Sequence, residues 1–207
     1  MNRYDLAIFD FDGTLADSAA WLRSRINQVA QRYGFRQVTD AELERLRGQL
    51  SIRYLGVPAW KIPFIASHMR KLVGRDAHRI PLFDGVDALL SSLAQRGVAI
   101  AIASSNSEAN VRRILGDANA GRISRYACGA SLFGKAAKLE TILRLQQVSP
   151  ERAIAIGDEV RDLEAARKAG VAAGAVGWGY ATIELLRAQQ PDYLFSSVEE
   201  IRQAIIG

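Results

Sequence analysis

The chain has 207 residues, 49% of them hydrophobic and 24% charged, a globular composition that excludes disordered and fibrous classes and can bury a core without covalent staples. A single cysteine, Cys128, excludes an intrachain disulfide, and no apolar run approaches the ~20 residues needed to cross a bilayer. The net charge of +5 is uneven: residues 16–81 hold twelve Lys/Arg against five Asp/Glu, a net +7, while the rest holds 15 against 17, a net −2.

That split suggests two units, the basic one facing something anionic. Asp5, Asp10 and Asp12 interrupt the N-terminal apolar run, which argues against a signal peptide. A soluble cytoplasmic protein with no membrane partner is expected.

In chain order, Tyr4–Phe9 is a short apolar run ending in an Asp/Gly cluster, the pattern of a buried strand and its exit loop. Helical periodicity follows over Ser18–Tyr33, over Asp40–Arg47 with Thr39 or Asp40 as N-cap, and from Pro58 towards Val73. No strand is predicted between residues 16 and 81, so the basic segment reads as all-helical. Trp21 and Trp60 are expected to pack within it. Beyond it the rhythm changes. A helix from Asp84-Gly85 to Arg96 is closed by Gly97, and Val98–Ala103 is a small-apolar run typical of a buried parallel strand. Helices are then predicted at Glu108–Leu115, Ala136–Gln147, Val160–Ala169, Thr182–Ala188 and Val198–Ile206. Between them fall strands at Tyr126–Ala130, Ala153–Ile156, Val171–Val176 and Tyr193–Phe195. Such alternation implies right-handed βαβ units and a parallel sheet. The expected division is a core of residues 1–15 and 82–207 with a helical insert at 16–81.

Open α/β sheets bind ligands beyond the carboxyl ends of their strands, and four such ends carry reactive residue types. The first is Asp10-Phe11-Asp12-Gly13-Thr14, where two carboxylates at i and i+2 can share a crevice as nucleophile and general acid/base. The second is Ser104-Ser105-Asn106, whose hydroxyls and N–H groups suit an anion. The third is Lys135, with Lys138 three residues on. The fourth is Gly157-Asp158-Glu159-Val160-Arg161-Asp162, whose carboxylates lie one helical turn apart and can hold a hard cation such as Mg²⁺. His68 and His78 have no second metal-type partner at zinc spacing.

The order of these four motifs resembles the haloacid dehalogenase-like hydrolase superfamily. Leu15-Ala16-Asp17-Ser18, the helical insert behind it, and Ala175–Tyr180 after the last core strand are similar to the phosphoglycolate-phosphatase-like branch. The resemblance implies a Rossmann-like parallel-sheet core in three α/β/α layers, with a small helical cap inserted after the first strand. It implies Asp10 as nucleophile, Asp12 as general acid/base, and Lys135 neutralising charge between nucleophile and phosphate. Thr14, Ser104, Ser105 and Asn106 would bind phosphate. Asp10, the backbone carbonyl of Asp12, and Asp158 would hold Mg²⁺, supported by Asp162. Two departures leave alternatives open: Ala136 stands where the family lysine is followed by proline, so Lys138 could replace Lys135, and the Ser104-Ser105 pair shifts the phosphate-binding hydroxyl by one residue.

The expected activity is therefore Mg²⁺-dependent hydrolysis of a small phosphate monoester, phosphoglycolate-like or a sugar phosphate, through an aspartyl-phosphate. Asp12 favours a phosphatase over a dehalogenase, which needs no proton donor for its leaving group. A phosphotransferase or mutase would use the same chemistry. A non-catalytic anion- or nucleic-acid-binding protein accords with a sequence pI near 9.6, but the chain lacks a nucleic-acid motif and interleaved aromatics, so nucleic acid is not the expected partner. Arg47 and Arg53, flanking Gly48, are the residues expected to reach inward from the insert.

Overall fold

The computed structural model describes residues 2–48, 54–129 and 134–207. At its centre lies β1 (Leu6–Phe9), four apolar residues buried on both faces. It pairs in parallel with β2 (Ala99–Ala103) from Leu6↔Ala99 to Phe9↔Ile102, and with β4 (Ala153–Gly157) from Leu6↔Ala153 to Phe9↔Ile156. Flanking strands β3 (Arg125–Ala127), β5 (Ala172–Val176) and β6 (Tyr193–Phe195) complete a six-stranded sheet in the order β3-β2-β1-β4-β5-β6, with every pairing parallel. The chain winds outward from β1 to β3, then returns to lay β4 on the other side. The carboxyl ends of β1 and β4 therefore open into a crevice where crossovers diverge to opposite faces.

Alternation within the strands builds two cores. Ala7, Phe9, Ile100, Ile102, Ile154 and Ile156 pack beneath α4 (Val86–Gln95), α5 (Glu108–Ala120) and α9 (Val198–Ile206). The opposite side chains, Leu6, Ile8, Ala101, Ala103, Ala153 and Ala155, meet α6 (Gly134–Gln146) and α7 (Val160–Ala169). Alanines on that face let these two helices sit close to the sheet. Coverage on both faces explains why the strands read as unbroken apolar runs. The result is the expected three-layer α/β/α architecture with a Rossmann strand order.

Between β1 and α4 lie α1 (Ala19–Tyr33), α2 (Asp40–Arg45) and α3 (Ile62–Asp76), and no strand pairing with the sheet occurs there among the described residues. Gly34, at φ 64°, closes α1, and Thr39 caps α2 in a reciprocal box with Glu42. Asn27 holds the connecting chain by bonding both the N–H and the carbonyl of Val38. The ends of α1 and α3 are joined where Trp21 Nε1 (2.9 Å) and Arg25 (2.7 Å) both donate to Asp76. Entry and exit of this segment are neighbours, since Ala16 bridges Leu82 and Asp17 N–H bonds to the Pro81 carbonyl.

Three features differ from the sequence expectations. The segment after Pro58 first makes a 3₁₀ turn, Ala59–Lys61, and α3 begins only at Ile62. The α5 segment breaks at Gly116 (φ 72°, ψ 162°), where the expected helix Glu108–Leu115 ends, and a second short helical stretch not expected from the sequence continues to Ala120. Trp60, expected to be packed, is 68% exposed, with Lys61 Nζ lying over its ring. Among the described residues no helix is long and apolar enough to cross a membrane.

Candidate active site

The N–H of Asp10 bonds to the Ile156 carbonyl, extending the β1–β4 ladder by one residue, so its side chain emerges at the sheet's carboxyl edge. The Phe11 carbonyl then accepts the N–H groups of Leu15 (3.0 Å) and Ala16 (2.9 Å), a tight turn in which Gly13 takes φ +84°. The turn carries Thr14 to Asp158 across the crevice, where the hydroxyl donates to Oδ1 at 3.0 Å. The other oxygen of Asp158 accepts the Tyr180 N–H at 2.7 Å. A Cβ on Gly13 would stand 2.3 Å from Asp158 Oδ2, and one on Gly179 would stand 2.2 Å from Asp158 Cβ. Only glycine at these two positions lets both loops close on the carboxylate.

Asp162 lies in the first turn of α7, where its Oδ2 accepts the N–H groups of Asp158 (3.1 Å) and Glu159 (3.0 Å). Its Oδ1 accepts Lys135 Nζ at 2.6 Å, and the same ammonium reaches Asp10 Oδ1 at 2.7 Å. The lysine at the carboxylates is therefore Lys135. Lys138, one turn further along α6, instead donates to the carbonyls of Ser104 and Gly129 at 2.6 Å each, tying the ends of β2 and β3.

These contacts set the protonation balance. Burial raises the Asp10 carboxyl above the usual carboxylate range, with the Lys135 charge working against it. Burial, and then the charges of Asp10 and Asp162, push Asp158 well above that range. Burial opposes the Lys135 ammonium, but the two carboxylates outweigh it and hold the group charged. Asp10, Asp158 and Asp162 are all buried and each offers an oxygen within 4.8 Å of the others. Two of these three carboxylates share the Lys135 ammonium, and Asp158 beside them has only neutral donors among the described residues. An oxygen-only, charge-deficient cluster of this kind fits a hard divalent cation.

Asp12 stands apart, half-buried, and accepts Asn106 Nδ2 at 3.2 Å. Its carboxyl is pushed up to about 6 by burial and then by the Asp10 charge. Two neighbouring carboxyls therefore have separate environments, one on an ammonium and one held towards its acid form. Asn106 Oδ1 accepts Asn110 Nδ2 (3.0 Å), which also donates to the Arg70 carbonyl in α3 (2.8 Å). A continuous hydrogen-bonded chain thus runs from α3 to Asp12.

Two cavities meet at this edge. One, of about 420 Å³, is lined by Asp10, Ser104, Lys135 and Lys138; the other, of about 630 Å³, by Asp12, Asn106, Arg47 and Tyr180, with Ser105 and Arg161 lining both. Ser104 is buried and its Oγ accepts the Asn106 N–H at 3.0 Å, leaving its own hydrogen free to donate. Ser105 is exposed at the junction. Two residues expected to bind phosphate are placed differently. Thr14 is 1% exposed with its hydroxyl committed to Asp158, and the Asn106 amide is committed to Asp12. Arg47 does reach inward, donating to the Gly179 carbonyl at 2.6 Å, whereas Arg53 lies outside the described residues.

Arg161, Trp178 and Tyr180 were not singled out by sequence as site residues. Tyr180 closes the crevice through its N–H and through a 2.6 Å bond between its hydroxyl and Ser18 Oγ, while Trp178 Nε1 donates to the Thr14 carbonyl. The sequence signal for this loop was the likeness of Ala175–Tyr180 to the family branch's loop after the last core strand.

The haloacid dehalogenase-like hydrolase profile matches residues 7–176. A phosphoglycolate phosphatase of Synechococcus elongatus is 31% identical over 202 residues, covering 96% of this chain and 95% of its own. A Mycobacterium tuberculosis protein named tyrosine-protein kinase PtkA is 29% identical over 97% of this chain and 72% of its own. Among solved structures, a predicted phosphatase from Clostridium acetobutylicum superposes with a TM-score of 0.82 at 23% identity, covering 97% of each chain.

Proposed function

This chain belongs to the haloacid dehalogenase-like hydrolase family, and from that premise we propose that it is a phosphatase that hydrolyses a phosphate monoester through a phosphorylated Asp10. The observation that carries the reading is the ammonium of Lys135 shared between Asp10 and Asp162, with Asp158 alongside and Asp12 kept separate on Asn106. The expected substrate is small, phosphoglycolate-like or a sugar phosphate, and the name of the Synechococcus relative supports the first of these. Residues 16–81 serve as a cap over a core formed by 1–15 and 82–207, and their net +7 attracts the anionic substrate.

The first step forms a bond from an Asp10 carboxylate oxygen to phosphorus and breaks the bond from phosphorus to the ester oxygen. Asp12, raised towards its acid form, delivers a proton to that oxygen so that a neutral alcohol leaves. In the second step water attacks phosphorus, Asp12 takes its proton, and the phosphorus–Asp10 bond breaks to release phosphate and restore the carboxylate. Lys135 holds Asp10 ionised and neutralises repulsion between it and the phosphate dianion. Ser104, with its free hydroxyl hydrogen, donates to a phosphoryl oxygen. Asp10, Asp158 and the Asp12 carbonyl would hold Mg²⁺, and Asp162 supports the cluster by fixing Lys135 and the Asp158 loop. When bound, Mg²⁺ supplies the positive charge that the three carboxylates lack and that the equatorial phosphoryl oxygens require.

Phosphate release from a panel of monoesters, with and without Mg²⁺, tests the reading against Asp10→Asn. Metal-dependent release lost in the variant is expected. Undiminished release by Asp10→Asn would remove Asp10 from the role. Transfer to an acceptor hydroxyl in place of water is a second reading, favoured by the relative named as a tyrosine-protein kinase; product analysis with and without acceptor separates the two.

A further inference from the structure

Asp10 lines the cavity of about 420 Å³ and Asp12 the one of about 630 Å³. A nucleophile and a proton donor that face different cavities divide the substrate between them. The phosphoryl group belongs with Asp10, Ser104 and Lys135, and the leaving alcohol belongs beside Asp12. The alcohol's compartment is far larger than a two-carbon acid needs and falls within the range of sites that enclose drug-sized ligands. Part of its wall offers flat apolar surface, beside the charged Arg23, Arg47, Arg70 and Arg161. Trp21, Leu43 and Met69 come from the helical insert and Trp178 from the loop after β5. Both indoles are held, Trp21 Nε1 by Asp76 and Trp178 Nε1 by the Thr14 carbonyl, so their rings are set before a ligand arrives.

We propose that the larger cavity selects phosphate monoesters whose alcohol carries a planar ring system of phenyl to nucleoside-base size. This rests on the phosphatase reading above and shifts the preferred substrate away from two-carbon acids. The ring lies against the tryptophan and aliphatic wall, while Ser105 and Arg161, which line both cavities, mark the passage between ring and phosphate.

Matched pairs test this, because each holds the leaving primary alcohol constant while adding a ring: ethyl phosphate against 2-phenylethyl phosphate, and ribose 5-phosphate against adenosine 5′-monophosphate. A gain in kcat/KM of at least about tenfold from the ring in one pair is expected, equivalent to burying about 55 Å² of apolar surface at ~25 cal/mol per Å². No gain in either pair would overturn the proposal while leaving a phosphatase. Ala66→Phe, which adds bulk to the same cavity from α3 and leaves Asp10, Asp12, Lys135 and Asp158 unsubstituted, should abolish the gain and preserve turnover of the ringless partner. A gain unchanged in that variant would place the ring elsewhere and overturn the proposal. Because Trp21 and Trp178 line the cavity, quenching of tryptophan fluorescence reports occupancy without turnover. Tighter quenching by the ring-bearing member in a protein that hydrolyses neither would uphold the site and refute the phosphatase reading. Equal quenching by both members would overturn the site.

Discussion

Replacing Lys135 by methionine removes the one ammonium shared by Asp10 and Asp162 and keeps the aliphatic stem. The lysine side chain is 19% exposed and the two carboxylates 9% and 5%, with both contacts under 2.8 Å. Breaking a buried pair by deleting one partner costs about 3–5 kcal/mol, because the surviving charge stays desolvated. Partial exposure of the lysine, and the freedom of Asp10 to take up a proton, point to the lower end, about 3 kcal/mol. The loss should depend on pH with a definite sign. Without the ammonium the carboxyl pKa of Asp10 rises further above its unfolded value, so its contribution is present below the unfolded pKa and lost as pH rises through the folded one. The deficit is therefore smallest in mild acid and grows towards neutrality. Catalytically, one preorganised charge is lost from a site of low dielectric, which removes roughly 10²–10³ in kcat. Urea unfolding in chelator across pH, together with turnover in Mg²⁺, measures both. Lys138→Met serves as the comparison, since that ammonium donates to the Ser104 and Gly129 carbonyls and, among the described residues, meets no carboxylate. Wild-type stability and turnover in Lys135→Met, or a deeper loss of activity in Lys138→Met, would refute the reasoning.

Three further outcomes follow from the same geometry. Asp158 is held well above its ordinary 3.8, so metal-free protein should lose stability as pH rises through that raised value, and Mg²⁺ should flatten the profile in thermal unfolding; a flat profile in chelator would count against the cluster. Asp12→Asn should slow alkyl phosphates by about 10²–10⁴-fold and aryl phosphates far less, because a good leaving group needs little protonation; equal losses in steady-state assays would exclude the acid role. Arg47→Gln should weaken the rise of kcat/KM at low salt, since part of the net +7 of residues 16–81 then no longer faces the cavity; salt profiles superimposable on wild type would show that Arg47 does not attract substrate.

What the sequence revealed was whatever the chain carries contiguously. Asp10 and Asp12 follow an apolar strand within three residues, and Asp158 and Asp162 sit one helical turn apart, so both pairs could be read; the structure brings Asp10, Asp158 and Asp162 together and leaves Asp12 on Asn106. The choice between Lys135 and Lys138 was open because both lie on one turn of α6, and only closure against α7 shows which meets a carboxylate. Thr14 and Asn106 were read as phosphate ligands because a hydroxyl or amide beside a strand end suits an anion. Their partners, Asp158 and Asp12, are 144 and 94 residues away in sequence. Tyr180 was hidden for another reason: it lies only 22 residues from Asp158, but its contact is made by its backbone N–H and so leaves no mark in residue type. Trp60 differs in the opposite sense: a large aromatic in the insert suggests packing, but it lies in the 3₁₀ turn before α3 and is exposed.

The central claim is that Asp10 becomes phosphorylated, and trapping that species tests it most directly. Enzyme turning over a phosphate monoester is quenched with borohydride, which reduces an acyl phosphate to an alcohol and converts the modified aspartate to homoserine. Trypsin then releases residues 4–23, which contain Asp5, Asp10, Asp12 and Asp17, and tandem mass spectrometry locates the change. The account predicts homoserine at position 10 alone, dependent on substrate and absent from Asp10→Asn. Homoserine at position 12, or an unmodified peptide under conditions where phosphate is being released, would contradict it.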